Sequence, residues 1–183
     1  ANLELLAESD LLPPEASGAG ADDLLLSDSL ECRIRVFMDN SDLAFVGGGQ
    51  EQKDYLLKTT LRLQKPTYWG VPLKGLMKLD PGCFINCGTW LIKRNETTKY
   101  QFPEGWTHAE DLAFFFNIAE DGVLGYTEKV VQIYRRSNSS AMRNLSGLED
   151  GYYRYYQIVS NSKKASRAIL WYLKWKIVKI LVL

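Results

Sequence analysis

Two adjacent carboxylates, Glu110 and Asp111, stand where an aromatic-rich segment begins. The run before them, Thr107-His108-Ala109-Glu110, has the spacing of a capping box, with threonine at the N-cap and glutamate three residues on. In that pattern Glu110 bonds back to the N-cap amide and has a structural task. Asp111 is then the carboxylate left free. The dipole at a helix N-terminus favours its ionised form. An ionised carboxylate at the edge of a cleft is what a general base needs. Taken alone the pair is ambiguous, because acidic residues in a first helical turn are usually structural.

Composition limits the other chemistry. The 183 residues suffice for one domain of ordinary size. With 46% hydrophobic and 24% charged residues the chain is globular rather than disordered. Lys plus Arg is 22 and Asp plus Glu is 22, and this zero balance argues against a nucleic-acid binder. Three scattered cysteines, Cys32, Cys83 and Cys87, make no disulfide framework and point to a reducing compartment. Cys83 and Cys87 have no second pair beside them, so a zinc site is not expected. Gly47-Gly48-Gly49 lacks the Lys-Ser/Thr of a phosphate loop. Sequons at Asn95, Asn138 and Asn144 would matter only in a secretory compartment. The chain opens on Ala1 and is expected to be a fragment or a processed piece.

The elements that must position Asp111 read as follows. Leu3 to Ala7 is a strand ending at the acidic turn Glu8-Ser9-Asp10, with a stop at Pro13-Pro14. Ser29 to Met38 fits a helix end or a strand. Leu43 to Val46 is a buried strand, and the three glycines after it form a flexible loop. Tyr55 to Leu63 fits helix or strand. Cys83 to Cys87 and Thr89 to Ile92 are short extended pieces, and Asn95 to Gln101 is a loop. The clearest helix starts at Thr107 and stops at Asp121-Gly122. Val123 to Tyr126 and Lys129 to Tyr134 are strands. Ser146-Gly147-Leu148-Glu149 repeats the capping-box spacing. Tyr152, Tyr155, Tyr156 and Val159 then fall on one helical face.

The segment from Ser162 to Leu183 changes character. Lys174, Lys176 and Lys179 interrupt its apolar run, and each is costly inside hydrocarbon. Two readings stand. The helix lies on a membrane surface with Trp171, Tyr172 and Trp175 at headgroup level. Alternatively it packs on its own domain or on another subunit.

The residues around Asp111 carry a family likeness. Phe102-Pro103-Glu104-Gly105, then Glu110-Asp111 and an aromatic-rich helix, resembles the acceptor-side half of family-2 glycosyltransferases. The likeness continues in Tyr134-Arg135-Arg136-Ser137-Asn138-Ser139-Ser140 and in Cys87-Gly88-Thr89-Trp90-Leu91-Ile92-Lys93-Arg94. Upstream, Leu5 to Pro14 is similar to that family's strand ending in an acidic metal motif and a proline. The likeness spans residues 3 to 158, and its specific part is 83 to 142.

The resemblance implies an α/β fold of the GT-A kind, a mixed sheet flanked by helices. It implies an inverting glycosyltransferase that moves a sugar from a nucleotide-sugar donor, a UDP-sugar by preference, to a hydroxyl of a glycan or lipid-linked acceptor. Asp111 becomes the catalytic base. Asp10, assisted by Glu8, becomes the ligand of Mg²⁺ or Mn²⁺, oxygen-preferring ions that compensate a leaving diphosphate. Family members usually show aspartates where Glu8 stands, and the other reading of Glu8 and Asp10 is a solvated turn. Arg135 and Arg136 become contacts to the donor diphosphate, since the guanidinium fork suits phosphate. The other reading is a surface pair at a strand end. Trp106, His108 and Glu110 fall on the acceptor side. Trp106 either stacks on a sugar ring or packs under the helix. His108 either lines the site or is plain surface.

Such domains begin with strands that hold the nucleotide, roughly the first hundred residues by usual domain size. This chain starts almost at the acidic motif, so those strands are expected to be lacking. The expected organisation is a partial catalytic domain over 1–158 and a basic apolar helix over 159–183. The expected setting is the cytoplasmic, inner face of the plasma membrane, in cell-surface glycan assembly. The alternative function is a non-catalytic binding or scaffold module that needs a partner chain.

Overall fold

A computed structural model describes residues 23–83, 89–94, 101–120, 122–136 and 144–182. The elements in chain order are β1 (Leu24–Leu25), α1 (Ser29–Asp39), β2 (Leu43–Lys53), β3 (Thr60–Gln64), α2 (Leu73–Met77), β4 (Leu91–Ile92), α3 (Glu110–Ile118), β5 (Val123–Arg135), α4 (Leu145–Asn161) and α5 (Arg167–Val182). The strand before Asp10 and the piece from 84 to 88 lie outside the described residues.

β2 is the centre of a mixed, open sheet with the order β1-β5-β2-β3. On one side it runs parallel to β5, from Leu43↔Val123 to Lys53↔Arg135. Its other side is shared. β4 pairs antiparallel with Phe45 and Val46, and β3 pairs antiparallel with Gln50 to Lys53. A strand covered on both faces shows no alternation of apolar and polar residues. Phe45 and Val46 are neighbours in sequence and both are buried, on opposite faces of the sheet.

The three glycines expected to form a flexible loop instead continue β2. The cause is a close approach from β5. A Cβ added to Gly48 would lie 2.5 Å from Val131 Cγ1. Glycine is needed here for space. Just beyond, Gln50 and Gln132 sit in register, and their buried side-chain amides bond at 2.8 Å. The Gln132 amide also donates to Asp23 at 2.8 Å, so the buried polar groups are partnered. Likewise, the two strands expected between Val123 and Tyr134 are one continuous β5.

Helices cover both faces. α1 lies on one, where Phe37 packs with Leu43 and Val46. Its helical state, ambiguous in sequence, is tied down by a buried arginine. Arg33 Nε donates to Ser29 O at 2.9 Å and Nη1 donates to Thr89 O at 3.0 Å. The other face carries α2, α3, α4 and α5 around one large apolar core. Trp90, next to β4, stacks on Phe45 with centroids 4.8 Å apart and meets Phe115 at 3.8 Å. Tyr155 is fully buried at the centre, and its hydroxyl donates to Leu76 O at 2.9 Å. α5 joins this core through the buried Ile169 and Leu173. Among the described residues no helix is long and apolar enough to cross a membrane.

Tyr155 therefore joins α4 to α2 by both packing and a hydrogen bond. Tyr155→Ala should cost about 3–5 kcal/mol, the usual penalty for emptying an aromatic site in a core. Tyr155→Phe should cost only about 1 kcal/mol, the net worth of one hydrogen bond. Urea unfolding of the two variants checks both values.

Candidate functional site

The turn ahead of α3 differs from the one the sequence spacing predicts. α3 begins at Glu110, and its N-cap is Ala109, with no side-chain cap bond. Ala109 has φ 59° and ψ 15°, the left-handed region. A residue with a Cβ pays roughly 1–2 kcal/mol to sit there. Thr107 is thus not the cap; its Oγ1 lies 3.0 Å from His108 Nδ1. Glu110 and Asp111 occupy the first two helical positions, so the expected return bond from an N3 glutamate has no basis.

The neighbour that fixes this turn is α4. Its N-cap is Asn144, whose Oδ1 accepts from Gly147 N at 3.2 Å, rather than the Ser146 of the second predicted capping box. Two glycines on α4 then face His108. A Cβ at Gly147 would strike the His108 ring, and one at Gly151 would strike the His108 carbonyl. His108 is buried between the turn and α4, which corrects the reading of it as plain surface. The close approach of α4 holds the chain at 107–109 and leaves Ala109 to absorb the reversal.

Asp111 is the electrostatic centre of this corner. Its Oδ1 accepts from Leu112 N at 2.7 Å. Burial pushes its carboxyl up to about 6, and the charge of Glu110 adds to the rise. The expectation that the helix dipole would keep it readily ionised is therefore corrected: desolvation outweighs the favourable amide contact. The Tyr152 and Tyr155 phenols are both raised, first by burial and then by the charge of Asp111. Asp111 thus faces the tyrosine side of α4. The tyrosine spacing was legible in the sequence as a helical face; that its partner would be Asp111 was not. The packing of Phe102 was not legible either. Phe102 stacks on Phe114 at 4.0 Å and lays the loop ahead of Trp106 against α3.

Trp106 is half-buried and packs against the core, with the Arg154 guanidinium 5.8 Å over its ring. Arg154 is also paired with Asp150 at 2.8 Å. The structure thus brings Trp106, His108, Glu110 and Asp111 together on one turn.

Arg135 and Arg136 have different surroundings, at the carboxyl ends of the parallel strands β2 and β5. Ligands of open α/β sheets bind at such strand ends. Arg135 N donates to Asp23 at 3.3 Å, and its guanidinium lies 6.0 Å over the Tyr55 ring. Its Nε is buried with no hydrogen-bond partner among the described residues. A buried orphan donor calls for an acceptor. Arg136 is exposed, and its backbone N donates to Lys53 O at 2.9 Å.

Glu8 and Asp10, the expected metal ligands, lie outside the described residues. Among the described residues no group of three or more His, Cys, Asp or Glu converges. Cys83 is buried, and burial pushes its thiol up to about 11, which makes it a poor nucleophile. A cavity of about 10 Å³ between Gly47, Pro66, Cys83 and Trp90 has room for roughly one water. None of the expected site residues among the described residues lines it.

The chain is an α/β protein with a mixed open sheet flanked by helices. No protein-family model matches it, and no curated protein is significantly similar to it.

The raised Asp111 carboxyl makes a stability prediction. The fold holds this proton up to about 6, against an ordinary value of 3.8. Below about pH 4 folded and unfolded chains are both protonated there and the site costs nothing. As pH rises from about 4 to about 6 the unfolded chain gives up a proton that the fold keeps, so the fold loses on the order of 1–3 kcal/mol, a loss complete above about 6 where both states are ionised and the charge is buried. Asp111→Asn removes that loss. The variant should match the wild type below about pH 4 and melt a few degrees higher at about pH 8. Thermal unfolding across pH measures the difference.

Proposed function

We propose that this chain is a glycosyltransferase domain of the GT-A kind, related to family 2, which transfers a sugar with inversion from a nucleotide-sugar donor to an acceptor hydroxyl. The observation that carries the reading is Asp111: a half-buried carboxylate at the start of α3 whose pKa is raised to about 6. A base acts best when its pKa lies near the working pH. The left-handed Ala109 beside it adds support, because backbone strain clusters at functional sites.

In this reading the acceptor O–H gives its proton to the Asp111 carboxylate. The oxygen attacks the anomeric carbon, the bond from that carbon to the phosphate oxygen breaks, and the nucleoside diphosphate leaves with the electron pair. Arg135 and Arg136 meet the diphosphate; the partnerless Arg135 Nε supports that role. Mg²⁺ or Mn²⁺ held through Glu8 and Asp10 would supply compensating charge for the leaving group. Glu110 and Trp106 border the acceptor. His108 acts from beneath the turn by holding its shape. The donor is a UDP-sugar by preference, and the acceptor is a glycan or lipid-linked hydroxyl on the cytoplasmic side of a membrane.

Calorimetric titration of the chain with UDP, with and without Mn²⁺, tests the donor half. Metal-dependent binding that weakens about tenfold or more in Arg135→Ala is expected, the scale of a lost charge-assisted contact. Transfer assays on the active enzyme test the base. Asp111→Asn should keep UDP binding and lower the transfer rate about 10²–10⁴-fold. Wild-type transfer should rise with pH through about 6, as Asp111 ionises. A folded chain that binds neither UDP nor GDP would instead indicate a binding or scaffold module that works with a partner chain.

A further inference from the structure

α5 has two apolar faces, and the fold uses one. At 3.6 residues per turn, Ile169, Leu173 and Ile180 share a side. Ile169 and Leu173 are buried in the core, and Ile180 packs against it. Trp171, Trp175, Val178 and Val182 follow one another at i, i+4, i+7 and i+11 on the opposite side. They are 72%, 48%, 54% and 77% exposed. Cations flank this outer stripe. Arg167 and Lys174 lie along one border and Lys179 along the other, with the Lys179 ammonium 5.4 Å over the Trp175 ring. Lys78 of the neighbouring turn after α2 lies 5.9 Å over the Tyr172 ring and extends the basic border. No Asp or Glu occurs from 151 to 183, in a chain whose net charge is zero.

We propose that the outer face of α5 docks on an anionic lipid bilayer, with the helix lying in the plane of the surface. The inference is independent of the transferase reading. The described part of α5 carries three lysines and is held along its length by a packed inner face, so it presents its outer stripe flat. Tryptophan and tyrosine favour the headgroup level, where one end of the ring is apolar and the other wet. Lysines at the border can lay their stems on the apolar stripe and their ammonium groups on lipid phosphates. A protein partner fits less well, since lysine is depleted at protein interfaces. The segregated positive charge is complementary to anionic headgroups.

Co-sedimentation of the full chain with vesicles tests the proposal, using phosphatidylcholine alone and phosphatidylcholine with about a quarter phosphatidylserine. Binding to the anionic vesicles is expected, falling as salt rises. Trp171→Ser/Trp175→Ser should weaken it about tenfold or more with unchanged thermal unfolding, since both side chains are exposed. Lys174→Glu/Lys179→Glu should remove the preference for anionic vesicles. Absence of wild-type binding to the anionic vesicles overturns the proposal, as does equal binding by the tryptophan variant. Self-association of the wild type that the tryptophan variant abolishes, without vesicle binding, would assign the face to a second copy of the chain.

Discussion

The parallel pairing of β2 with β5 is the constraint on which the rest of the structure depends. It runs the whole length of β2, from Leu43↔Val123 to Lys53↔Arg135. Parallel strands are stable only where both faces are covered. α1 must therefore occupy one side and the four-helix core the other. The close contact of Gly48 with Val131 sets how near the two backbones come. The Gln50–Gln132 amide bond and the Asp23 carboxylate then fix the register with polar groups that burial makes costly to misplace. The same pairing places the ends of β2 and β5 together, which is why Lys53, Arg135 and Arg136 share one edge.

The second layer of dependence runs through α4. Its glycines let it approach the turn at His108, and its tyrosines face Asp111 and the α2 carbonyl at Leu76. One helix thereby sets the conformation of the turn, the burial of the carboxylate and the position of α2. The environment of Asp111 is a property of the packed helices, not of the first turn of α3 alone.

Local pattern made some of this legible. The apolar start of β2, the aromatic run of α3 and the tyrosine face of α4 each follow from periodicity within a single element. The failures share a cause. Gly47-Gly48-Gly49 reads as a loop because glycine disfavours strands, and the reason for glycine at position 48 lies on Val131, far along the chain. Thr107 and Ser146 satisfy a capping template, but α4 packs where the first template would need room, and Asn144 takes the place of the second. In Ser29 to Met38 the helix is anchored by the bond from Arg33 to Thr89 and by the packing of Phe37, which no local window contains. α5 reads as an apolar run interrupted by lysines, and only the packing shows which of its faces is covered. The adjacent carboxylates Glu110 and Asp111 were legible as a pair at the start of an aromatic helix; the raised pKa of Asp111 came only with the packed structure.

The distance along the chain between β2 and β5 also has a consequence during synthesis. Gln50 and Gln132 are 82 residues apart. At a translation rate of about 5–20 residues per second, that interval lasts roughly 4–16 s. Throughout it the long edge of β2 that β5 will cover has no partner from its own chain. An apolar strand with an open edge is a template for pairing with other chains. The glycines at its middle, of which Gly48 meets Val131 only once β5 is in place, weaken β2 as a strand by itself. The residues that let the finished sheet close tightly are thus also those that keep β2 a poor template while it waits.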